Sequence, residues 1–204
     1  MKKKISLLIL FFFLLITQGY SKIKILESKF EAHPLLIKKI EKWINSLQNS
    51  SERKKSIKKL LKIGKISYKY LIKTFYTKDS LTKSYIIKIL TQLKVEKSIP
   101  IFIESLKNKQ ESIRVKVEIA KALGKFPSNN TFKVLIKYAF HSDPRIARTF
   151  SYSICRSKTR LAIPYLIELL KHWNRSIKHK AHITLIALTK QNHLSSDYAV
   201  WKKW

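Results

Sequence analysis

The sequence predicts an all-α fold built from about five helical hairpins. The 204 residues include only three glycines and five prolines, too few for the turns of a β-sandwich or barrel or for a glycine-rich nucleotide loop. In addition, residues 98–106 (SIPIFIESL) and 162–170 (AIPYLIELL) resemble each other and lie 64 positions apart, twice a period of 32. A composition that is 45% hydrophobic and 27% charged is that of a globular chain.

The two similar segments each predict the first helix of a pair. Pro100 and Pro164 stand in the first helical turn, where a missing N–H has no cost, and apolar residues follow at helical spacing. Asp143 and Pro144 form a strong start signal for a second helix. Second helices are predicted at 53–63 (closed by Gly64), 81–93, 114–123, 145–155 and 177–188, and the repeats at 35–64, 66–94, 98–126, 130–158 and 162–191.

Residues 1–21 have the layout of a cleavable export signal. Three lysines precede a twelve-residue apolar run, 5–16, and small residues follow at Gly19 and Ser21. The run is too short for the roughly 30 Å hydrocarbon core of a bilayer. We expect cleavage near Ser21, or after Gly19, and export to the periplasm or beyond the cell, with an uncleaved anchor as the alternative. Residues 22–34 form an N-terminal lead-in, and the mature chain contains no predicted transmembrane segment.

The repeat at 98–126 carries the most complete motif, with an Ile-Pro start, a Val-Arg-like start to the second helix and a KALGK ending at 121–125. This pattern resembles HEAT repeats of the short bacterial type, often named after phycobilisome lyases. Residues 187–191 (ALTKQ), Asp197 and 201–204 (WKKW) resemble the ending of many bacterial HEAT proteins, with Lys190 in place of the usual glycine. The resemblance implies an armadillo-like α-solenoid over 35–191 and a C-terminal cap over 192–204.

The terminal tryptophans and the single cysteine have structural interpretations. Stacked hairpins leave the last core face exposed, and Trp201 and Trp204 are expected to cover it; an aromatic ligand platform is the alternative. One cysteine forms no internal disulfide, so the stability must come from packing. Cys155 is expected to be a small buried side chain, with an intermolecular disulfide or a reactive thiol as the alternative.

The charge indicates an anionic partner or a coding bias. Lys+Arg number 43 against 12 Asp+Glu, which gives a formal net charge of +31. Second helices of solenoids usually line the concave surface, so their basic residues predict an anion-binding or partner-binding face. Only seven of the basic residues are Arg, and AT-rich coding explains a lysine excess without a ligand. The candidate face comprises Arg53, Lys54, Lys58, Lys83, Arg114, Lys116, Lys121, Arg145, Arg148 and Lys178.

The sequence contains no recognised catalytic motif, and we expect no enzyme activity and no cofactor. Asp79, Asp143 and Asp197 all fall in turn or helix-cap contexts. A group of five residues near the C-terminus has the ligand types of a zinc site, but the basic residues around it disfavour a metal ion. The alternative there is a site whose histidines become charged as the pH falls and strengthen anion binding. The group consists of Glu168, His172, His179, His182 and His193.

Two functions remain. The first hypothesis is an exported, non-enzymatic scaffold that holds a protein partner in the cell envelope. The alternative is a polyanion-binding module, whose ligand is an anionic glycolipid or membrane surface, a glycan or nucleic acid bound without sequence specificity. A DNA glycosylase family with HEAT-like helices also has a basic face, but no residue here matches its catalytic aspartate and aromatic set.

Overall fold

The structure, a computed structural model, describes residues 33–76 and 78–204, and the predicted export signal and most of the lead-in lie outside them. The described residues form α-helices, short 3₁₀ segments and turns, without a strand, which confirms the all-α class. None of these described helices is both long and apolar enough to cross a bilayer. The chain divides into two units, Met1–Glu41 and Lys42–Trp204. In the first unit the described residues are 33–41, and apart from the first helix the features below belong to the second.

The helices are α1 (Pro34–Asn45), α2 (Ser50–Ile63), α3 (Tyr68–Phe75), α4 (Ser80–Gln92), α5 (Ile99–Lys107), α6 (Ile113–Leu123), α7 (Asn129–Ala139), α8 (Pro144–Arg156), α9 (Ile163–Leu169), α10 (Arg175–Thr189) and α11 (Tyr198–Lys203). Three 3₁₀ segments, Gly64–Ser67, Glu96–Ser98 and Arg160–Ala162, lead directly into α3, α5 and α9. We call α2, α4, α6, α8 and α10 the second helices.

All five second helices begin at a capping side chain. In each case a side-chain oxygen accepts a hydrogen bond from a backbone N–H of the first turn, which has no partner within the helix. Pro144 occupies the first turn of α8, as Pro100 and Pro164 do in α5 and α9. These side chains define where each second helix starts. The caps are Asn49, Asp79, Ser112, Asp143 and Asn174.

Four second helices are followed by a residue with left-handed or other positive-φ backbone. The φ angles are 69° at Gly64, 52° at Lys94, 52° at Lys158 and 65° at Lys190. Glycine adopts such a conformation freely, whereas a side chain with a Cβ is strained there by roughly 1–2 kcal/mol. Lys190 therefore forms a strained left-handed turn after α10, and its N–H donates to the carbonyl of Ile186.

The second helices pack against one another in chain order: α2 contacts α4, α4 contacts α6, α6 contacts α8, and α8 contacts α10. Each of α4, α6, α8 and α10 also contacts the helix that precedes it. Ile86 and Leu90 of α4, Ile119 of α6, and Phe150 and Ile154 of α8 are fully buried. This packing removes their apolar surface from water and stabilises the row of second helices.

Gly124 allows α6 and α8 to approach closely. A Cβ at this position would lie 2.9 Å from the carbonyl oxygen and 3.0 Å from the Cβ of Ser153. Atoms so close would force the two helices apart. Its φ of −64° is ordinary, so the requirement for glycine here is one of space.

The C-terminal segment covers part of the last helix pair. Trp201 is 1% exposed, its indole N–H donates to the carbonyl of Ser195 at 2.8 Å, and its ring meets His182 edge-on at 6.1 Å. Helix α11 contacts α9, where the Tyr198 hydroxyl donates to Glu168 at 3.2 Å. Trp204 packs edge-on against Trp201 but remains 56% exposed, so the burial comes from Trp201.

Replacing Lys190 with glycine should raise the free energy of unfolding by about 1 kcal/mol. Glycine removes the strain of the left-handed backbone, and this gain exceeds the extra entropy of the unfolded chain. Lys190→Ala serves as the control, since alanine keeps the Cβ and should give no such gain. Urea denaturation of both variants measures the difference, and equal stabilisation by alanine would contradict the explanation.

Candidate functional site

The C-terminal halves of α4, α6 and α8 enclose a cleft made of two adjoining cavities, of about 410 Å³ and 590 Å³. We call it the α4–α6–α8 cleft. The packing of the three helices creates it, and Gly124 lines both of its cavities. Five basic and two acidic side chains line its walls, together with apolar groups of Ile87, Ala122 and Phe126. The basic side chains are Lys88, Lys94, Lys121, Lys125 and Arg156, and the acidic ones are Glu96 and Glu118.

Glu118 partly neutralises two of the lysines that line the cleft. Its carboxylate accepts a hydrogen bond from Lys121 at 2.9 Å and lies 3.8 Å from the ammonium of Lys88. The carboxylate side chain is 12% exposed, whereas the two lysines are about half exposed. One largely shielded negative charge therefore offsets two accessible positive charges, on α4 and α6.

Three basic side chains of the cleft have no ion-pair partner among the described residues: Lys94, Lys125 and Arg156. They stand at the ends of α4, α6 and α8, where the helix carbonyl groups carry partial negative charge. The guanidinium of Arg156 also lies 6.0 Å from the ring centre of Tyr152. These three cations complement the helix ends and are available to an anionic group in the cleft.

The residues predicted for the candidate face lie in several environments, and only Lys121 lines the cleft. Lys54, Lys58, Arg114 and Arg148 are exposed and Lys178 is half-exposed. None of the five side chains forms an ion pair within the described part of the chain.

The other four predicted residues are held by internal bonds. Arg53 donates to the carbonyls of Leu47 and Gln48, at 2.6 Å and 2.7 Å, and closes the turn before α2. Lys116 is buried, and its ammonium donates to the carbonyl of Lys109 at 3.2 Å. Arg145 hydrogen bonds to Asp143 at 2.8 Å and lowers the pKa of that carboxyl to about 2. Lys83 pairs with Glu111.

Glu111 is the centre of a buried polar cluster that sequence reasoning missed. Its carboxylate accepts from the ammonium of Lys83 on α4, the hydroxyl of Ser105 on α5 and the N–H of Ser112 at the start of α6, each at 3.0 Å. Burial by itself would raise the pKa of Glu111, but the hydrogen bonds from Lys83, Ser112 and Ser105 outweigh it and lower the pKa. The cluster joins three helices and withdraws Lys83 from ligand binding.

Three of the five residues considered as a metal site have separate partners of their own. Glu168 pairs with Lys171, which is the largest cause of its lowered pKa, and accepts from Tyr198. His172 is buried; its Nδ1 accepts from the N–H of Asn174 at 2.9 Å, so its Nε2–H donates to the carbonyl of Ala139 at 3.0 Å. His182 bonds to the carbonyl of Leu194. Within residues 33–76 and 78–204, no three potential ligands converge on one point.

The remaining reactive candidates have structural positions. Cys155 is buried and free, and burial raises the pKa of its thiol to about 11, which keeps it protonated at neutral pH. Asp79, Asp143 and Asp197 each cap a helix, as expected.

Comparison with known proteins gives no indication of function for this chain. The chain matches no protein-family model, and a search of curated proteins finds no significant match. The cleft and its charges are therefore the observations on which a function is argued.

Replacing Glu111 with glutamine should lower the free energy of unfolding by about 1 to 3 kcal/mol at neutral pH, because Lys83 loses its buried charge partner. A folded-state pKa below the ordinary 4.5 means that the carboxylate contributes stability above that pH, and the contribution is lost as the pH falls through the lowered value. The stability difference between wild type and variant should therefore shrink in acid.

Urea unfolding measured at several pH values tests this expectation. Glu104→Gln is the matched control, since its ion pair with Lys107 is exposed and should contribute little. A difference for Glu111→Gln that persists unchanged at low pH would contradict the role assigned to its charge.

Proposed function

We propose that the protein is a non-enzymatic α-solenoid of HEAT type that holds an acidic segment of a protein partner in the α4–α6–α8 cleft, and that it acts after export to the cell envelope. The single observation that carries the binding role is the cleft itself, whose lining combines five basic side chains with apolar groups. Export rests on the sequence of residues 1–21.

The pattern of helix contacts supports the solenoid. Each second helix packs against the next along the chain, and a nearest-neighbour row of this kind is characteristic of repeat proteins. The similar caps at the starts of the second helices and the positive-φ residues after four of them support a common repeated unit.

The mixed lining of the cleft favours a protein segment over a uniform polyanion. A polyphosphate or sulfated glycan has no apolar side chains to place against Ile87, Ala122 and Phe126, whereas a peptide of acidic and apolar residues has both. The carboxylate of Glu118 also opposes a dense negative charge. An acidic peptide can place its charges near Lys94, Lys125 and Arg156 and its apolar side chains between them.

The acidic residues support binding rather than catalysis. In the described part of the chain, the three aspartates cap helices, and Glu104, Glu111, Glu118 and Glu168 are all held by lysines. A general acid or base would need a carboxyl group directed at a substrate. The seven groups named here already have partners; Glu96, which also lines the cleft, forms no ion pair among the described residues.

Neutralising the three unpaired cations of the cleft should weaken binding of an acidic peptide at least about tenfold, since each loses a charge interaction in a partly enclosed cleft. The variant is Lys94→Gln/Lys125→Gln/Arg156→Gln. The control, Lys133→Gln/Lys137→Gln/Arg160→Gln, removes the same charge from exposed positions outside the cleft and should bind nearly as wild type.

Fluorescence anisotropy with three labelled probes measures this effect. One peptide alternates glutamate with leucine, a second alternates glutamate with serine, and the third probe is polyphosphate. The proposal expects the leucine peptide to bind best. Equal weakening by the control variant, or polyphosphate bound more tightly than both peptides with a steep log-linear loss in salt, would overturn it.

Replacing Glu118 with glutamine should strengthen binding of the leucine-containing peptide about threefold to tenfold, because Lys88 and Lys121 are released to the ligand. Glu104→Gln removes an equivalent ion pair on α5 and should leave the affinity unchanged. The same anisotropy titration checks both variants, and weaker binding by Glu118→Gln would show that the carboxylate positions the lysines rather than competing for them.

A further inference from the structure

Helix α10 carries a stripe of nitrogen-bearing side chains that the proposed function does not use. Arg175, Lys178, His179 and His182 are spaced i, i+3, i+4 and i+7, which places them on one face of the helix. All four line a separate cavity of about 340 Å³, and Ser196, from the segment after the helix, lines it as well. No carboxylate is among the described residues that line this cavity.

The walls of this cavity are held in place by buried contacts. His182 donates its Nε2–H to the carbonyl of Leu194 at 2.9 Å, and its ring meets the buried Trp201 edge-on. The indole N–H of Trp201 donates to the carbonyl of Ser195, next to Ser196. The segment opposite α10 is thereby fixed against the helix.

Three of the four side chains of the stripe are free to bind a ligand, since His182 already donates to Leu194. The side chains of Arg175, Lys178 and His179 form no ion pair in the part of the chain that the structure describes. Arg175 offers a planar fork of N–H groups, Lys178 a compact ammonium, His179 an imidazole N–H and Ser196 a hydroxyl. This set combines positive charge with several directed donors around one space.

We propose that this α10 cavity binds a tetrahedral oxyanion, a phosphate or sulfate group, either as the free ion or as the terminal group of a monoester. Such an anion presents several acceptor oxygens, which the guanidinium, ammonium, imidazole and hydroxyl groups can contact together. The site is distinct from the α4–α6–α8 cleft and shares no lining residue with it. Anion binding here can therefore be tested independently of the proposed function.

A metal ion fits the same residues poorly. His182 commits its Nε2–H to a carbonyl, and Arg175 and Lys178 carry positive charge beside the two imidazoles. A zinc site needs three or four deprotonated ligands and a negative or neutral surrounding. The cavity offers neither, whereas the same charges attract an anion.

The test follows the histidine ring signals of the purified protein by NMR during titration at constant pH and ionic strength. Inorganic phosphate, glycerol phosphate and chloride are the three probes. The proposal expects saturable shifts of the His179 and His182 ring signals with either phosphate probe and none with chloride. The signals of His141 and His172, which lie outside the cavity, should stay in place. Stronger binding of inorganic phosphate indicates a free ion, and stronger binding of glycerol phosphate indicates a monoester.

Arg175→Gln/Lys178→Gln should weaken phosphate binding at least tenfold. Arg148→Gln/Lys133→Gln, which removes one arginine and one lysine charge from exposed positions on other helices, should bind as wild type. Arg175→Gln alone, at an exposed side chain, provides the comparison if the double variant does not fold. Equal weakening in the control, or shifts of all histidines with every salt, would overturn the proposal.

Discussion

The close packing of consecutive second helices is the interaction on which the described structure depends. Gly124 is its most restrictive point, because α6 can lie against Ser153 of α8 only where no Cβ intervenes. The same contact brings the C-terminal ends of the helices together and so creates the cleft. Stability and the candidate site therefore have a common origin, since a change that separates α6 from α8 would disturb both the buried core and the spacing of the cations.

Most of the acidic residues in the described part of the chain cap a helix or pair with a lysine. With 12 acidic against 43 basic residues, the chain cannot neutralise its cations in pairs. Many of the described carboxylates lie at helix N-termini, where the helix dipole favours negative charge, or in part-buried clusters such as that of Glu111. Many of the remaining basic side chains in the described part of the chain are exposed. Where several of them line one cavity, they can contact the same ligand.

The sequence predicted the all-α class because its signals are local. Asp143 followed by Pro144, or Ser112 before an apolar stretch, specifies a helix start within a few residues. The candidate face was harder to predict, because the location of a residue on a second helix does not say which side of that helix is open. Lys116 stands only two positions before Glu118, yet it is buried, while Lys121 reaches the cleft.

The interactions that sequence reasoning missed are those between distant residues. Glu111 meets Lys83, which is 28 positions earlier, and Lys88 meets Glu118 across a helix interface. These pairs depend on how neighbouring second helices lie against each other, which the local sequence signals do not specify. The spacing of Arg175, Lys178, His179 and His182 on one helix face can be read from the sequence. The position of Ser196 opposite them cannot, because it depends on the hydrogen bond from Trp201, 19 residues after His182, to Ser195.

The shielded thiol of Cys155 has a practical consequence. Because the only cysteine is buried and its thiolate is disfavoured, maleimide reagents should react slowly with the native chain. A single cysteine introduced at an exposed position, such as Lys133, would then carry a fluorophore or spin label without removal of the native residue. Two such labels on different second helices would report the distance between them, and hence how the helix row bends or stretches when a ligand is added.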